Sequence, residues 1–107
     1  MRKRHRAAAG VFAALGDPTR LQLIARLSDG PQSVGSLAGG FDVTRQAISK
    51  HLRVISAAGL ARSETRGRET VWQLDPQGLA EATRYLSLIS KDWDDKLRRL
   101  KDLVETD

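Results

Sequence analysis

Six side chains between residues 44 and 53 carry the chemistry of nucleic-acid recognition: Thr44, Arg45, Gln46, Ser49, Lys50 and Arg53. Arg and Lys donate to guanine and to phosphate, Gln pairs with adenine, and the Ser and Thr hydroxyls are more permissive. Read at helical period, Arg45, Gln46, Ser49, Lys50 and Arg53 share one side of a helix. Ala47, Ile48, Leu52 and Ile55 recur as a buried stripe on the other. The polar side holds three cations, an amide and no carboxylate. Thr44 is placed to cap the helix by accepting from a backbone N–H of its first turn. The N–H groups left free there favour a phosphate. An ordinary solvated surface helix has a charged face too, so the neighbouring elements must separate the two readings.

Ser33 caps a helix over residues 33–41, in which Val34, Leu37, Ala38 and Phe41 follow at i, i+3, i+4 and i+7. Gly39-Gly40 weakens its last turn by about 1 kcal/mol per glycine relative to alanine. Asp42-Val43 then gives a connection of two or three residues into Thr44. Residues 33–58 therefore read as a helix-turn-helix, whose second helix enters a major groove. Gly59 stops that helix. Residues 60–65 and 69–74, rich in Thr, Val and Trp, flank Arg66-Gly67-Arg68 and predict a hairpin over 60–74 with glycine supplying the turn. Thr70, Trp72 and Leu74 alternate toward one face. Arg66 and Arg68 at the tip suggest a wing laid along a phosphate backbone or into a minor groove, with Glu69 orienting one of them.

The flanking elements must hold this unit. Residues 1–6 form a basic arm, and residues 7–15 a short helix with Ala8, Val11, Phe12 and Leu15 at helical spacing, closed by Gly16. So short a helix cannot stand alone and must pack on the body or on a second chain. Asp17-Pro18 opens the next helix as cap and first residue. Its inner face is read as Leu21, Ile24, Ala25 and Leu27, with Arg20 and Arg26 outward, and Gly30-Pro31 ends it. Asp75-Pro76 repeats the start, and one long helix runs to about Val104. Leu79, Ala82, Leu86, Ile89, Trp93, Leu97, Leu100 and Val104 form a seam of period near 3.5 along it. It outruns what the body before it can cover, so the expected partner is the same helix of a second chain. Asp94–Arg98 and Asp95–Arg99 are expected as i, i+4 pairs on its flank.

The chain of 107 residues suits one domain. Its net charge of +5 is uneven. Residues 1–75 hold 12 Lys and Arg against 6 Asp and Glu, whereas residues 76–107 hold 6 against 7. A basic body points to a polyanion partner for the body alone. The absence of cysteine excludes disulfides and thiolate metal sites. The basic start followed by Ala-Ala-Ala-Gly-Val-Phe superficially resembles a signal peptide. Its apolar run is short and leads straight into a helix start, so a soluble cytoplasmic protein is expected. No stretch approaches the ~18–20 apolar residues of a membrane span. No cysteine nucleophile, paired catalytic carboxylates or glycine-rich loop after a strand suggests an enzyme, and no cofactor is expected.

Phe12-Ala-Ala-Leu-Gly-Asp-Pro-Thr-Arg-Leu-Gln-Leu-Ile, Leu37-Ala38, Val43-Thr-Arg-Gln-Ala-Ile-Ser-Lys-His-Leu-Arg-Val-Ile, Ala58-Gly-Leu and Arg66-Gly-Arg-Glu together resemble the ArsR/SmtB family of bacterial winged-helix repressors. The likeness is close over residues 8–75 and loose over the last helix. It implies a mainly α fold with a small β-hairpin: one winged helix-turn-helix domain of five helices and a two-stranded wing. It also implies a homodimer built from the first helix (Val11, Phe12, Leu15) and the last (Leu86, Ile89, Trp93, Leu97, Leu100). Such a dimer would bind a pseudo-palindromic double-stranded operator overlapping a promoter, through residues 44–53 and the wing, with release by an inducer that the sequence does not identify. Metal-sensing members carry a cysteine pair before the turn, or Asp and His ligands on the last helix. Here Ser36-Leu37-Ala38-Gly39 has no thiol, and the last helix has Asp92, Asp94 and Asp95 but no His. The two histidines, His5 in the arm and His51 in the second helix of the motif, are too few for a zinc-type site, so no metal is expected. His51 reads as a packing or phosphate-facing side chain. The competing reading, a winged-helix protein-interaction module without DNA function, would not need cations on both the helix and the wing tip.

Overall fold

The computed structural model describes residues 2–105, with side chains from residue 8. Its order is α1 (Arg2–Leu15), α2 (Pro18–Leu27), β1 (Gln32–Ser33), α3 (Val34–Ala38), α4 (Arg45–Ala57), β2 (Ala61–Arg66), β3 (Glu69–Leu74) and α5 (Pro76–Glu105). Four helices start on one device, a short side-chain oxygen accepting from an N–H that has no intrahelical partner. Asp17 Oδ2 accepts from Arg20 N at 3.0 Å and Ser33 Oγ from Ser36 N at 3.2 Å. Thr44 Oγ1 accepts from Ala47 N at 3.1 Å and Asp75 Oδ1 from Gln77 N at 3.0 Å.

Two boundaries differ from the sequence reading. α1 begins at Arg2 rather than residue 7, because Arg and Lys are good helix formers and no Gly or Pro interrupts them. The contacts proposed for the basic arm concern side chains outside the described residues. α3 ends at Ala38 rather than residue 41, as the two glycines that follow would predict. The connection to α4 is therefore residues 39–44 rather than two or three residues. Phe41 lies past the helix yet still packs against the core.

That core is Val11, Leu23, Leu27, Leu37, Ile48, Leu52, Ile55, Leu60, Ala61 and Trp72, drawn from α1 to α4, β2 with the residue before it, and β3. Of the α4 stripe, Ile48, Leu52 and Ile55 are at 0% exposure and Ala47 is half-buried at its edge. Each fully buried side chain contributes roughly 1.5–3 kcal/mol of burial. The inner face of α2 is Leu23 and Leu27, with Ile24 packed against them, whereas Leu21 and Ala25 are exposed. Leu21 and Leu23 are about 200° apart on a helix, so only one of them can face the body, and both satisfy a spacing of threes and fours.

The sheet has the order β1-β3-β2 and is antiparallel throughout. β2 and β3 pair from Ala61↔Leu74 to Arg66↔Glu69. Gly67, at φ +63°, supplies the turn. β1, a strand the sequence did not suggest, pairs Gln32 with Trp72 and Ser33 with Val71. Gln32 Nε2 holds it to α2 by donating to Arg26 O at 2.6 Å. The wing is thus hinged on a third strand.

α5 is anchored only at its start. Asp75 N donates to Leu60 O at 2.9 Å. A Cβ on Gly78 would overlap Gly59 O, so glycine is what allows the first turn of α5 to sit on the end of α4. Leu79 and Ala82 touch the core, Tyr85 meets Phe12 of α1, and the helix then leaves the body. The outcome is an elongated molecule of 69 × 29 × 21 Å. Lys96–Asp92 (3.2 Å), Arg98–Asp95 (3.7 Å) and Lys101–Glu105 (3.9 Å) are ion pairs along it. Arg98 therefore meets Asp95 one residue nearer than the Asp94 expected for it.

Candidate nucleic-acid interface

With its apolar stripe turned inward, α4 presents Arg45, Gln46, Lys50 and Arg53 to solvent, and Ser49 is half-buried among them. The 3.6-residue period alone imposes that division. Among the described residues none of the three cations is in an ion pair. No carboxylate need be displaced before one meets a phosphate. Thr44 is exposed, and its oxygen serves as the cap, which leaves its O–H free to donate. Arg45 is the least free of the set. Its guanidinium lies over Gly35, where a Cβ would stand 3.3 Å from Nη2. Arg45 lines a cleft with Ser33, Val34, Gly35, Glu69 and Thr70, so α3, α4 and the wing converge on it.

On the wing, Arg66 and Arg68 are both exposed at the tip. Arg66 Nη2 meets Glu64 Oε2 at 3.4 Å rather than Glu69. Both acids share its face of the ribbon, Glu64 two residues along β2 and Glu69 opposite on β3, and the ion pair forms along the strand. Arg62 is exposed on that same face of β2 and adds a cation the sequence reading missed. Its spacing of four from Arg66 along an alternating strand was the available signal.

The two arginines of α2, expected outward, turn inward. Arg20 Nε donates to Ala14 O at 2.6 Å and Nη2 to Ala13 O at 3.2 Å, and Nη1 faces His51 Nδ1 at 3.3 Å. Arg26 Nη1 donates to Leu37 O at 2.8 Å, and its guanidinium covers the Phe41 ring at 4.6 Å. Gly40 permits this, since a Cβ there would overlap Arg26 Nη2. A helix end leaves carbonyls without partners, and a guanidinium on a neighbouring helix satisfies several of them with one planar group. His51 accordingly is a packing residue, half-buried behind α4 and 3.9 Å from Asp17 Oδ2. The Arg20 N–H bonded to Asp17 holds that carboxyl below its ordinary pKa, against a desolvation that raises it, and the Arg20 guanidinium adds to the lowering.

The residues expected to pair two chains fall into two groups. Val11 is buried in its own core, Leu15 packs against that core, and Phe12 meets Tyr85 at 5.9 Å between ring centroids. Leu86, Ile89, Trp93, Leu97 and Leu100 are 39–58% exposed. Among the described residues no three His, Asp or Glu side chains gather where they could hold a metal. No described helix is long and apolar enough to cross a membrane.

Comparison with known proteins adds to this geometry. A family model described as a helix-turn-helix domain matches residues 15–64. The HTH-type transcriptional regulator Rv2034 of Mycobacterium tuberculosis is 38% identical, over 78% of this chain and 90% of that protein. The HTH-type transcriptional repressor SmtB of the same species is 31% identical, over 69% of this chain and 55% of its own. Among solved structures, an ArsR-like transcriptional regulator from Rhodococcus sp. RHA1 superposes with a TM-score of 0.83. That match is at 38% identity and covers 96% of this chain and 97% of the other.

Proposed function

The chain belongs to the ArsR/SmtB family of winged helix-turn-helix transcriptional regulators, and from that premise we propose that it is a homodimeric repressor reading a two-fold symmetric operator. It is a DNA-binding regulator of transcription. In the proposed complex α4 lies in the major groove. Gln46, Lys50 and Arg53 face base edges and phosphates, Arg45 sits where helix meets wing, and the Thr44 O–H and Ser49 add polar contacts. Arg66 and Arg68 lie on the flanking backbone. A second chain covers the exposed seam of α5. The observation that carries this reading is the outer face of α4, three cations without a carboxylate partner among the described residues, on the side away from three side chains at 0% exposure.

Selection of bound sequences from a random duplex library, with the solution mass recorded alongside, tests it. The expected result is a dimer and a palindromic motif with half-sites one or more helical turns apart. Gln46→Ala then costs roughly 1–3 kcal/mol and relaxes one base position. Arg66→Ala and Arg68→Ala weaken all duplexes alike and lower the salt slope by about one each. No enriched motif, with binding lost at moderate salt, would sink the operator reading and favour a protein-interaction module.

A further inference from the structure

We propose that Arg20 and His51 form a joint that sets the angle of α4 against α1 and α2, which makes both of them positioning residues for operator discrimination although neither touches DNA. The inference rests on the DNA-binding reading above.

α1 ends at Leu15, and at a helix end the last carbonyls have no i+4 donor; Ala13 O is met by Gly16 N at 3.2 Å and keeps a second lone pair. Two of these carbonyls, Ala14 O and Ala13 O, accept from Nε and Nη2 of Arg20. The third corner of the same rigid guanidinium, Nη1, meets His51 Nδ1 at 3.3 Å. For this contact to be a hydrogen bond Nδ1 must accept, since arginine has no acceptor, and the joint therefore requires the ring proton on Nε2. Asp17 closes the cluster from α2, with Oδ2 held by Arg20 N at 3.0 Å and 3.9 Å from the same His51 Nδ1. Three helices thus meet at one planar group.

His51 is the seventh of the thirteen residues of α4. At 100° per residue it stands about 170° around the helix from the mean direction of Arg45, Gln46, Ser49, Lys50 and Arg53. It therefore lies behind the reading face rather than on it. The apolar stripe resists rotation of α4 about its axis, but Leu and Ile contacts are non-directional and permit a small tilt. Hydrogen bonds to base edges tolerate little displacement, because their strength falls away outside about 2.7–3.2 Å. Attraction to phosphates is long-ranged and survives such a shift. Loosening the joint should therefore cost discrimination while leaving general DNA affinity in place. A purely structural role would lower both together.

The test compares affinity for the selected operator and for a random duplex, at one salt concentration, in wild type, His51→Leu, His51→Asn, Arg20→Lys and the Arg20→Lys/His51→Leu double variant. His51→Leu and Arg20→Lys should each lose roughly tenfold on the operator, about one base contact's worth, with random-duplex affinity within about twofold. His51→Asn, whose amide oxygen reaches the place of Nδ1, should recover most of the loss. The double variant should be little worse than either single one, as coupled neighbours behave. Parallel loss on both duplexes, no loss on either, or failure of Asn to rescue overturns the joint. If wild type selects no motif, the DNA reading itself has failed, which is a separate outcome. Should the variants not fold, ¹H–¹⁵N correlation of the wild-type imidazole decides: a protonated Nε2 with an accepting Nδ1 supports the joint, and the opposite tautomer overturns it.

Discussion

Along α4, Ile48, Leu52 and Ile55 are sealed at 0% exposure, whereas along α5 Leu86, Ile89, Trp93, Leu97 and Leu100 stand 39–58% exposed. Both helices carry the same signal, an apolar residue every three or four positions with charges opposite. α4 finds its cover within the chain, in Leu23, Leu37 and Trp72. α5 meets Phe12 of α1 at Tyr85, and beyond that its seam stays exposed. Periodicity therefore shows that a face needs covering, and whether the cover is intramolecular depends on where the helix goes.

The sharpest way to break this contrast is at the sealed stripe. Leu52→Ala should cost about 2–5 kcal/mol in denaturant unfolding, with much the same loss at high and low protein concentration. A loss below about 1 kcal/mol would mean the stripe is not what holds α4. Gly78→Ala probes where the two helices meet. Helix propensity alone predicts a gain of about 1 kcal/mol. The new methyl would strike the backbone carbonyl of Gly59, which cannot swing aside as a side chain would. A net loss of about 2–3 kcal/mol is expected in the same assay.

Leu97→Asp should act on association instead. Sedimentation should show the dimer constant weakened by about 2 kcal/mol, roughly thirtyfold, while circular dichroism reports an intact body. Equal unfolding of the body would erase the distinction between the two helices. Thr44→Ala, at the start of the sealed helix, should cost about 1 kcal/mol through loss of the cap.

The smallest effect is expected at Asp17. Its folded-state pKa lies below the unfolded one, chiefly through the Arg20 N–H. The stability it contributes is present above the unfolded pKa and is lost as pH falls through the folded value. Unfolding midpoints from about pH 5 down to pH 2 should fall more steeply for wild type than for Asp17→Asn. Identical slopes would remove Asp17 from the pH dependence.

Much of this was legible in the sequence because it is local. The caps Asp17, Ser33, Thr44 and Asp75, the α4 stripe, the Gly67 turn and the seam of α5 each follow from residue types a few positions apart. The outward cations of α4 follow as well, since a helix with one buried side must expose the other. Distant encounters were not legible. Arg20 and Arg26 look like surface charges, and nothing next to them in sequence predicts the carbonyls of Ala13, Ala14 and Leu37. His51 reads as packing or phosphate-facing, and only α1 and α2 closing on it choose the first. Leu21 and Leu23 compete for one inner position, and only the placement of α4 chooses between them. β1 is two residues long and exists because β3 lies alongside it.

By itself the sequence determined which segments are helix or hairpin, which face of α4 is basic, and that α5 carries a seam longer than its body. Tertiary structure alone decided that Arg20 and Arg26 of α2 are consumed by helix ends rather than left to solvent. The physical reason is range. Backbone periodicity and capping act within one or two turns. A guanidinium instead joins whichever carbonyls or rings the fold brings within about 3 Å of it.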